Sequence, residues 1–190
     1  DVLRQSIYRK IQILDDNGVT QFSTLEFDFD PSFEQLYVNS LIVRNADGEI
    51  LAEGDLNTYY ITNSETGYEA STERTVNIPV PSLAPGVIVE AIVTKHISVE
   101  NGTFPLETVY LSADRPIEYS AVFINGNHEQ LKYQLNDLPP PHTDGRALVF
   151  DIQRPVAFRW EPLQPYYDQI LPWVQLGTVS ESWASAGAEY

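Results

Sequence analysis

Apolar and polar residues alternate with a period of two along much of this sequence, and this pattern constrains the fold more than any other feature. An apolar residue at every second position indicates a strand with one buried face and one wetted face. The clearest runs are Leu25, Phe27 and Phe29; Val87, Val89, Ala91 and Val93; Leu131, Tyr133 and Leu135; and Val156, Phe158 and Trp160. β-Branched and tyrosine-rich stretches at 36–44 and 56–62 favour two further strands.

Turn sequences separate these runs and narrow the fold class. Glycine follows Asp or Asn at several junctions, and this pairing is typical of turns with a positive φ. Asn17-Gly18 and Asp47-Gly48 each lie between apolar runs and predict hairpins. No convincing amphipathic helix occurs within 1–178. The sequence therefore predicts an all-β fold, an antiparallel β-sandwich with little or no helix.

Proline and glycine add detail to this prediction. Pro85-Gly86 predicts a type II turn, with proline at its second and glycine at its third position, that leads into a long strand over 87–97. The triple proline at 139–141 predicts an exposed extended loop. Four further prolines predict edge strands and extended segments in the last third of the chain: Pro155, Pro162, Pro165 and Pro172.

Length and composition indicate a single folded domain. The chain has 190 residues, 43% of them hydrophobic and 12% aromatic, which suffices for one well-buried core. We expect a single β-sandwich domain over 1–180. The Ala- and Ser-rich segment 181–190 is expected to begin a helix. Since the sequence begins at Asp1 and contains no Met, we expect a processed or excised piece of a longer protein.

The charge balance excludes several classes of partner. Lys and Arg number 11 against 27 Asp and Glu, so the formal net charge is -16. Nucleic acids and anionic membrane surfaces require Lys and Arg for binding, so neither is expected as a partner. No apolar run approaches the ~18 residues of a spanning helix, so no membrane insertion is expected. The high charge, together with prolines and acidic residues on edge strands, favours a monomer.

No pattern of residues predicts a catalytic, cofactor-binding or metal-binding set. There is no Cys, which excludes a thiol nucleophile and thiolate metal ligands. The histidines share no ligand spacing and are expected to be exposed: His96, His128 and His142. Carboxylates near aromatic residues are candidates for a glycosidase-like pair, with no predicted separation: Asp151, Glu161 and Asp168. The Asp-rich turns lack the calcium-loop spacing.

Aromatic residues supply one candidate binding surface. Their side chains would form a stacking platform for sugar rings or contact a protein partner, although aromatic residues are also normal components of sheets. The residues of this candidate ligand or partner face are Tyr59, Tyr60, Trp160, Tyr166, Tyr167 and Trp173. A carbohydrate-binding module is therefore one hypothesis for function.

Four segments, in colinear order, resemble a bacterial domain-of-unknown-function family found N-terminal to transglutaminase-like domains in exported proteins. An apolar strand and an Asp-Gly turn at 37–48 are similar to one step of that family. A Leu-x-Pro-Gly turn between strands at 76–90 and a Glu-x-x-x-Pro step at 154–165 resemble the next two. An apolar strand followed by a Ser-Trp pair at 171–183 resembles the end of the family's domain.

The resemblance implies a function that the residues alone do not. It implies a sandwich of immunoglobulin-like character without catalytic residues of its own, in the periplasm or at the cell surface. Its partner would be a C-terminal transglutaminase-like domain of the same polypeptide, and 181–190 would begin a linker or helix towards that downstream domain. The expected function is thus a non-catalytic module for domain packing, positioning, or substrate or partner binding. A carbohydrate-binding module and, less favoured, an enzyme with paired carboxylates are the alternatives.

Overall fold

The computed structural model divides the chain into two compact units, Asp1–Glu100 and Asn101–Tyr190, called unit 1 and unit 2 below. Each unit is described by itself. Helix α2 is described by its backbone and by the side chains of its last two residues. The residues that the structure describes are 2–63, 72–99, 106–125, 131–159, 161 and 164–178.

Unit 1 contains two antiparallel sheets and one short helix in its described part. A four-stranded sheet, sheet A, has the order β1-β7-β3-β4, and a three-stranded sheet, sheet B, has the order β2-β6-β5. The elements are β1 (Val2–Gln12), α1 (Asp16–Gln21), β2 (Thr24–Phe29), β3 (Glu34–Arg44), β4 (Ile50–Glu53), β5 (Tyr60–Asn63), β6 (Arg74–Pro79) and β7 (Ile88–Ser98).

The core of unit 1 lies where the alternating residues of both sheets meet. Leu25 and Phe27 of β2 are each 3% exposed, and Val89 and Val93 of β7 are fully buried. These side chains belong to one cluster together with Leu41, Val43, Val76 and Ile78 from the neighbouring strands. Sheets A and B therefore form a two-layer sandwich, and the period-two prediction for β2 and β7 is confirmed.

The hairpin predicted at Asn17-Gly18 is wrong. These residues lie inside helix α1, and the strands on either side of it belong to different sheets. The carboxylate of Asp15 accepts a hydrogen bond from the Gly18 N–H at 2.9 Å and caps the helix. An Asp at the N-cap position satisfies a free backbone donor of the first turn, and this capping favours the helical turn over a hairpin.

The other two turn predictions are confirmed. Gly48 has a φ of 87° in the hairpin that joins β3 to β4. The side-chain oxygen of Asn45 accepts from the N–H groups of Asp47 and Glu49 in the same turn. Gly86 has a φ of 93°, and the Val87 N–H donates to the Ala84 carbonyl at 3.3 Å. This is the geometry of a type II turn.

The strand predicted over 56–62 is shorter than expected, because β5 begins only at Tyr60. The residues before it form a turn in which the Thr58 N–H donates to the Asp55 carbonyl. The Asp55 carboxylate also accepts from the Asn57 N–H at 2.9 Å. Such a local Asp turn competes with strand pairing.

The described part of unit 2 contains two antiparallel sheets of three strands each. Sheet C has the order β10-β13-β8, and sheet D has the order β11-β12-β9. The elements are β8 (Glu107–Tyr110), β9 (Tyr119–Ile124), β10 (Lys132–Asn136), β11 (His142–Asp144), β12 (Ala147–Gln153), α2 (Tyr167–Ile170) and β13 (Trp173–Gly177). Strands from both sheets contribute to one core cluster around Leu111, Phe150, Val174 and Leu176.

Strand β10 covers 132–136 of the strand predicted from the alternation of 131–135, although Tyr133 stays 43% exposed. Its ring packs edge-on against the ring of buried Phe150, with centroids 5.1 Å apart. The triple proline at 139–141 lies outside the strands, as predicted.

The strand predicted from the alternation of Val156, Phe158 and Trp160 is wrong. The described residues 155–159 form no strand, Val156 is 86% exposed, and Trp160 lies outside the described residues. Strand β12 ends because Arg154 adopts a φ of 49° and the following Pro155 has no N–H to donate.

The prediction of edge strands and extended segments in the last third is correct for β10 and β11, which are edge strands of sheets C and D, and wrong for the two strands that adjoin prolines. β12 and β13 are the central strands of their sheets. The prolines flank these strands: Pro155 follows β12, and Pro172 immediately precedes β13. A proline outside a strand removes no hydrogen bond from its ladder.

The predicted fold class is confirmed, because the described residues form antiparallel sheets with two short helices. None of these helices has the length and hydropathy that crossing a membrane requires. The single domain predicted for 1–180 stays a prediction, which the unfolding experiment in the Discussion tests. The segment 181–190, predicted to begin a linker or helix, lies outside the described residues.

Candidate functional site

A cluster of charged side chains lies on the outer face of sheet A, opposite its core face. Glu90, on the central strand β7, accepts a hydrogen bond from Arg44 Nε at 2.8 Å and pairs with Lys10 Nζ at 3.3 Å. The Tyr8 hydroxyl donates to the same carboxylate at 3.3 Å. Strand alternation places these residues together, because Lys10 and Arg44 lie on the strands flanking β7, next to Glu90 and Ile88 respectively. These four residues are called the Glu90 cluster.

The electrostatics of the Glu90 cluster favour the ionised carboxylate. The hydrogen bond from Arg44 lowers the pKa of Glu90 below its ordinary value, against the opposing effect of burial. Burial and, next, the charge of Glu90 raise the pKa of the Tyr8 phenol. A carboxylate stabilised by two cations is a poor proton acceptor. The cluster therefore connects three strands and presents a fixed pattern of charge.

Exposed apolar groups surround this cluster on the same face. Tyr8 is 58% exposed, and Ile92, its register partner on β7, is 37% exposed. The rings of Tyr37 and His96 pack together with centroids 4.8 Å apart. His96 is half-buried, which corrects the expectation that it is exposed. This arrangement combines apolar contact area with charge, as recognition surfaces often do.

A cleft of about 330 Å³ in unit 1 forms the second candidate site. It is lined by Asp28, Phe29, Asp30, Phe33, Glu34, Glu73 and Lys95. Alternation along β7 places Lys95 on the core side of the sheet, where its ammonium group lies 3.4 Å from Glu34 Oε2. Both side chains are largely buried, and Glu34 also accepts from the Asp30 N–H at 2.9 Å.

Hydroxyl groups donate hydrogen bonds to the aspartate carboxylates of this cleft. Asp30 accepts from the Ser32 and Thr72 hydroxyls, each at 2.6 Å. These bonds, that from Ser32 first, lower the pKa of Asp30. Thr75 donates to Asp28 at 2.6 Å. Within the described ranges, no three His, Cys, Asp or Glu side chains are arranged to hold a metal ion.

In unit 2, one of the candidate carboxylates has a polar environment. Asp151 lies 3.6 Å from His142 Nδ1. Burial, followed by the charge of Asp151, raises the pKa of the Tyr119 phenol. His142 is exposed, as expected. Glu161 is exposed and the side chain of Asp168 lies outside the described part of the chain, as does His128.

The predicted aromatic face divides between the two units. Tyr59 and Tyr60 belong to unit 1 and are 42% and 51% exposed. Tyr166 of unit 2 is 82% exposed, whereas Trp173 on β13 is half-buried. Trp160 and the side chain of Tyr167 lie outside the described residues. The shared binding face of these residues therefore stays a prediction.

The Glu90 cluster and the cleft were not predicted from the sequence. By alternation, Glu90 lies on the face of β7 opposite Val89 and Val93, but its partners lie on strands distant in sequence. Opposite charges at polar positions of several strands were the available signal. Without the strand order, that signal does not specify which charges meet.

The described residues thus form an all-β protein of two compact units, with a charged cluster on the outer face of sheet A. The family model described as "Domain of Unknown Function with solved-structure structure (DUF3857)" matches residues 4–165. The chain therefore belongs to this family. No curated protein matches its sequence significantly.

A solved structure from Parabacteroides distasonis ATCC 8503, described as a "putative protease", is similar in fold. The TM-score is 0.79 at 13% sequence identity. The similarity covers 94% of this chain and 37% of that chain. This chain thus spans about a third of the length of the larger protein.

Proposed function

We propose that this chain is a non-catalytic β-sheet module of a larger exported bacterial protein. In this proposal it packs against a transglutaminase-like domain C-terminal to it, or positions substrate for that domain. The proposal includes an immunoglobulin-like sandwich character, a monomeric state and a location in the periplasm or at the cell surface.

The observation that carries the proposal is the unequal coverage in the structural comparison. Nearly all of this chain, 94%, corresponds to only 37% of a larger bacterial protein described as a "putative protease". In that protein the region of similar fold is one part of a longer chain, which supports a modular role for this chain. The resemblance of four colinear segments supports a transglutaminase-like identity for the neighbouring domain. Such a domain would supply the Cys nucleophile, which this chain lacks.

The test compares the parent protein with variants of it. We expect the parent to catalyse amide hydrolysis or transfer on peptide substrates, and we expect the isolated module to be inactive. Deletion of residues 1–183 should reduce kcat/KM or lower the melting temperature of the remaining domain. Turnover by the isolated module that depends on a carboxylate such as Asp151 would contradict the non-catalytic role. Unchanged activity and stability after the deletion would contradict packing and positioning.

The exposed tyrosines support a second candidate function, a carbohydrate-binding module. Tyr60 and Tyr166 expose 51% and 82% of their surface, and exposed aromatic rings stack on sugars. All three Trp residues lie in unit 2, so Trp fluorescence reports on the aromatic residues there. A titration with soluble polysaccharides should shift this fluorescence in the native chain and less in Tyr166→Ala. No shift at millimolar sugar would exclude binding near these Trp residues.

A further inference from the structure

Strand β1 forms one edge of sheet A. All 11 residues of Val2–Gln12 pair with Ile88–Ser98 of β7 in an unbroken antiparallel register. In the described part of the chain, no other strand pairs with β1. Its side chains are mostly exposed, with Val2 and Tyr8 at 62% and 58%. Within the described residues, backbone N–H and C=O groups at alternate positions of β1 therefore border the sheet without a partner strand.

This edge lacks most of the features that protect sheet edges. Natural edge strands are commonly short, bulged, or interrupted by proline. β1 is about twice the usual strand length, has no Pro or Gly, and pairs without a register shift. By contrast, the opposite edge strand of the sheet, β4, has four residues. Positive charge is the protective feature that β1 retains.

The charge of β1 is opposite to that of the whole protein. The strand contains Arg4, Arg9 and Lys10 and no acidic residue, in a chain with a net charge of -16. Glu90 offsets one of these charges through Lys10. Arg9 lies over the ring of Phe27 at 4.4 Å. Two copies of β1 would therefore repel each other, whereas an acidic strand would be attracted.

We propose that the β1 edge binds an extended acidic peptide segment, which adds to sheet A as a fifth strand. Backbone hydrogen bonds along the edge provide affinity, and alternate side chains provide specificity. Arg4, Tyr8 and Lys10 lie on the same outer face, since their register partners are His96, Ile92 and Glu90 of β7. The matching strand places acidic residues beside Arg4 and Lys10, six positions apart, with apolar residues between them.

The probe is a capped peptide, Glu-Thr-Val-Thr-Val-Thr-Glu, whose acidic residues have this spacing in either strand direction. Two control peptides separate charge from strand addition. One replaces both Glu residues by Lys, and the other keeps the sequence but carries N-methyl groups on its five internal amides. Isothermal titration calorimetry should detect binding of the probe that weakens as the salt concentration rises. We expect no binding of the Lys peptide and at least tenfold weaker binding of the N-methylated peptide.

Two variants of the full chain test the edge itself. Arg4→Glu combined with Lys10→Glu should weaken binding at least tenfold. Arg154→Glu combined with Lys132→Glu makes the same charge change at exposed positions of unit 2 and should preserve binding. Circular dichroism verifies that both variants fold. Hydrogen exchange of the unmodified chain should show slower exchange of alternate β1 amides when the probe is added.

Four results would overturn the proposal. Equal affinity for the methylated and unmethylated peptides would show charge attraction without strand addition. Unchanged binding to the Arg4→Glu, Lys10→Glu variant, or no binding at millimolar probe, would remove the edge as a site. A dimer that protects the β1 amides would assign the edge to a second copy of the chain. None of these results depends on the neighbouring domain, so they are independent of the function proposed above.

Discussion

Substitution of Gly54 by alanine tests the packing at the end of strand β4. The Gly54 N–H donates to the Leu41 carbonyl at 2.8 Å, which brings this backbone close to the core. A Cβ at position 54 would lie 2.5 Å from Leu41 Cδ2 and 2.8 and 2.9 Å from its Cβ and Cγ. Carbon atoms normally pack about 3.5–4.0 Å apart, and Leu41 is only 2% exposed. We expect Gly54→Ala to destabilise unit 1 by about 1–3 kcal/mol.

Guanidinium unfolding followed by two probes measures this effect. All Trp residues lie in unit 2, so Trp fluorescence follows that unit, whereas far-ultraviolet circular dichroism follows both. Because each unit has its own core cluster, we expect Gly54→Ala to move the circular dichroism transition and leave the fluorescence transition in place. Coincident shifts by both probes would support the single domain predicted from the sequence. Glu53→Ala, at the exposed neighbouring position, serves as control and should change stability by less than about 0.5 kcal/mol.

A double-mutant cycle identifies Leu41 as the cause. Leu41→Ala alone should cost about 2–5 kcal/mol, because it leaves a cavity in a buried cluster. In the Gly54→Ala background it should cost at least about 1 kcal/mol less, since it removes two of the three crowded atoms. If the two costs add without coupling, or if Gly54→Ala leaves stability unchanged, the argument from close approach is refuted.

Three further predictions use the same unfolding assays. Phe150→Ala should lower the free energy of unfolding by about 3–5 kcal/mol, because Phe150 is fully buried in the core of unit 2. It should also move the Trp fluorescence transition, and an unmoved transition would contradict the place of Phe150 in that core. Gly86→Ala should lower the free energy of unfolding by about 1–2 kcal/mol through backbone strain alone, since φ is 93° and a Cβ would meet nothing within 4 Å. A neutral effect would contradict the type II turn. Glu90→Gln should cost roughly 1 kcal/mol at neutral pH, because the Glu90 side chain is 18% exposed and accepts charged hydrogen bonds. The folded-state pKa of Glu90 is lowered, so its contribution is present above the unfolded-state pKa of about 4.3 and is lost as the pH falls through the folded-state pKa. Stability curves of the native chain and Glu90→Gln should therefore converge in acid, and parallel curves would refute the role of the charge.

Features set by local sequence were predicted correctly. Residues 24–29 and 87–93 alternate strictly, and one face of each strand is buried as expected. The turns at Gly48 and Gly86 follow from the backbone freedom of glycine. The errors arose where another local interaction prevailed. At Gly18 the cap by Asp15 favours a helix, and after Arg154 a positive φ ends a strand despite a continuing alternation.

Features that depend on strand order could not be predicted from the sequence. Tyr8 and Arg44 are 82 and 46 positions from Glu90, and only the order β1-β7-β3 brings them to one carboxylate. The same order makes β1 an edge. A period-two pattern predicts which face of the sheet each residue lies on, but it predicts neither the neighbouring strand nor the pairing register. A shift of the register by one residue would move every side chain to the other face. The charges of β1 can be read from the sequence. That they lie on a sheet edge, where an acidic strand is proposed to bind, can be inferred only once the neighbours of β1 are known.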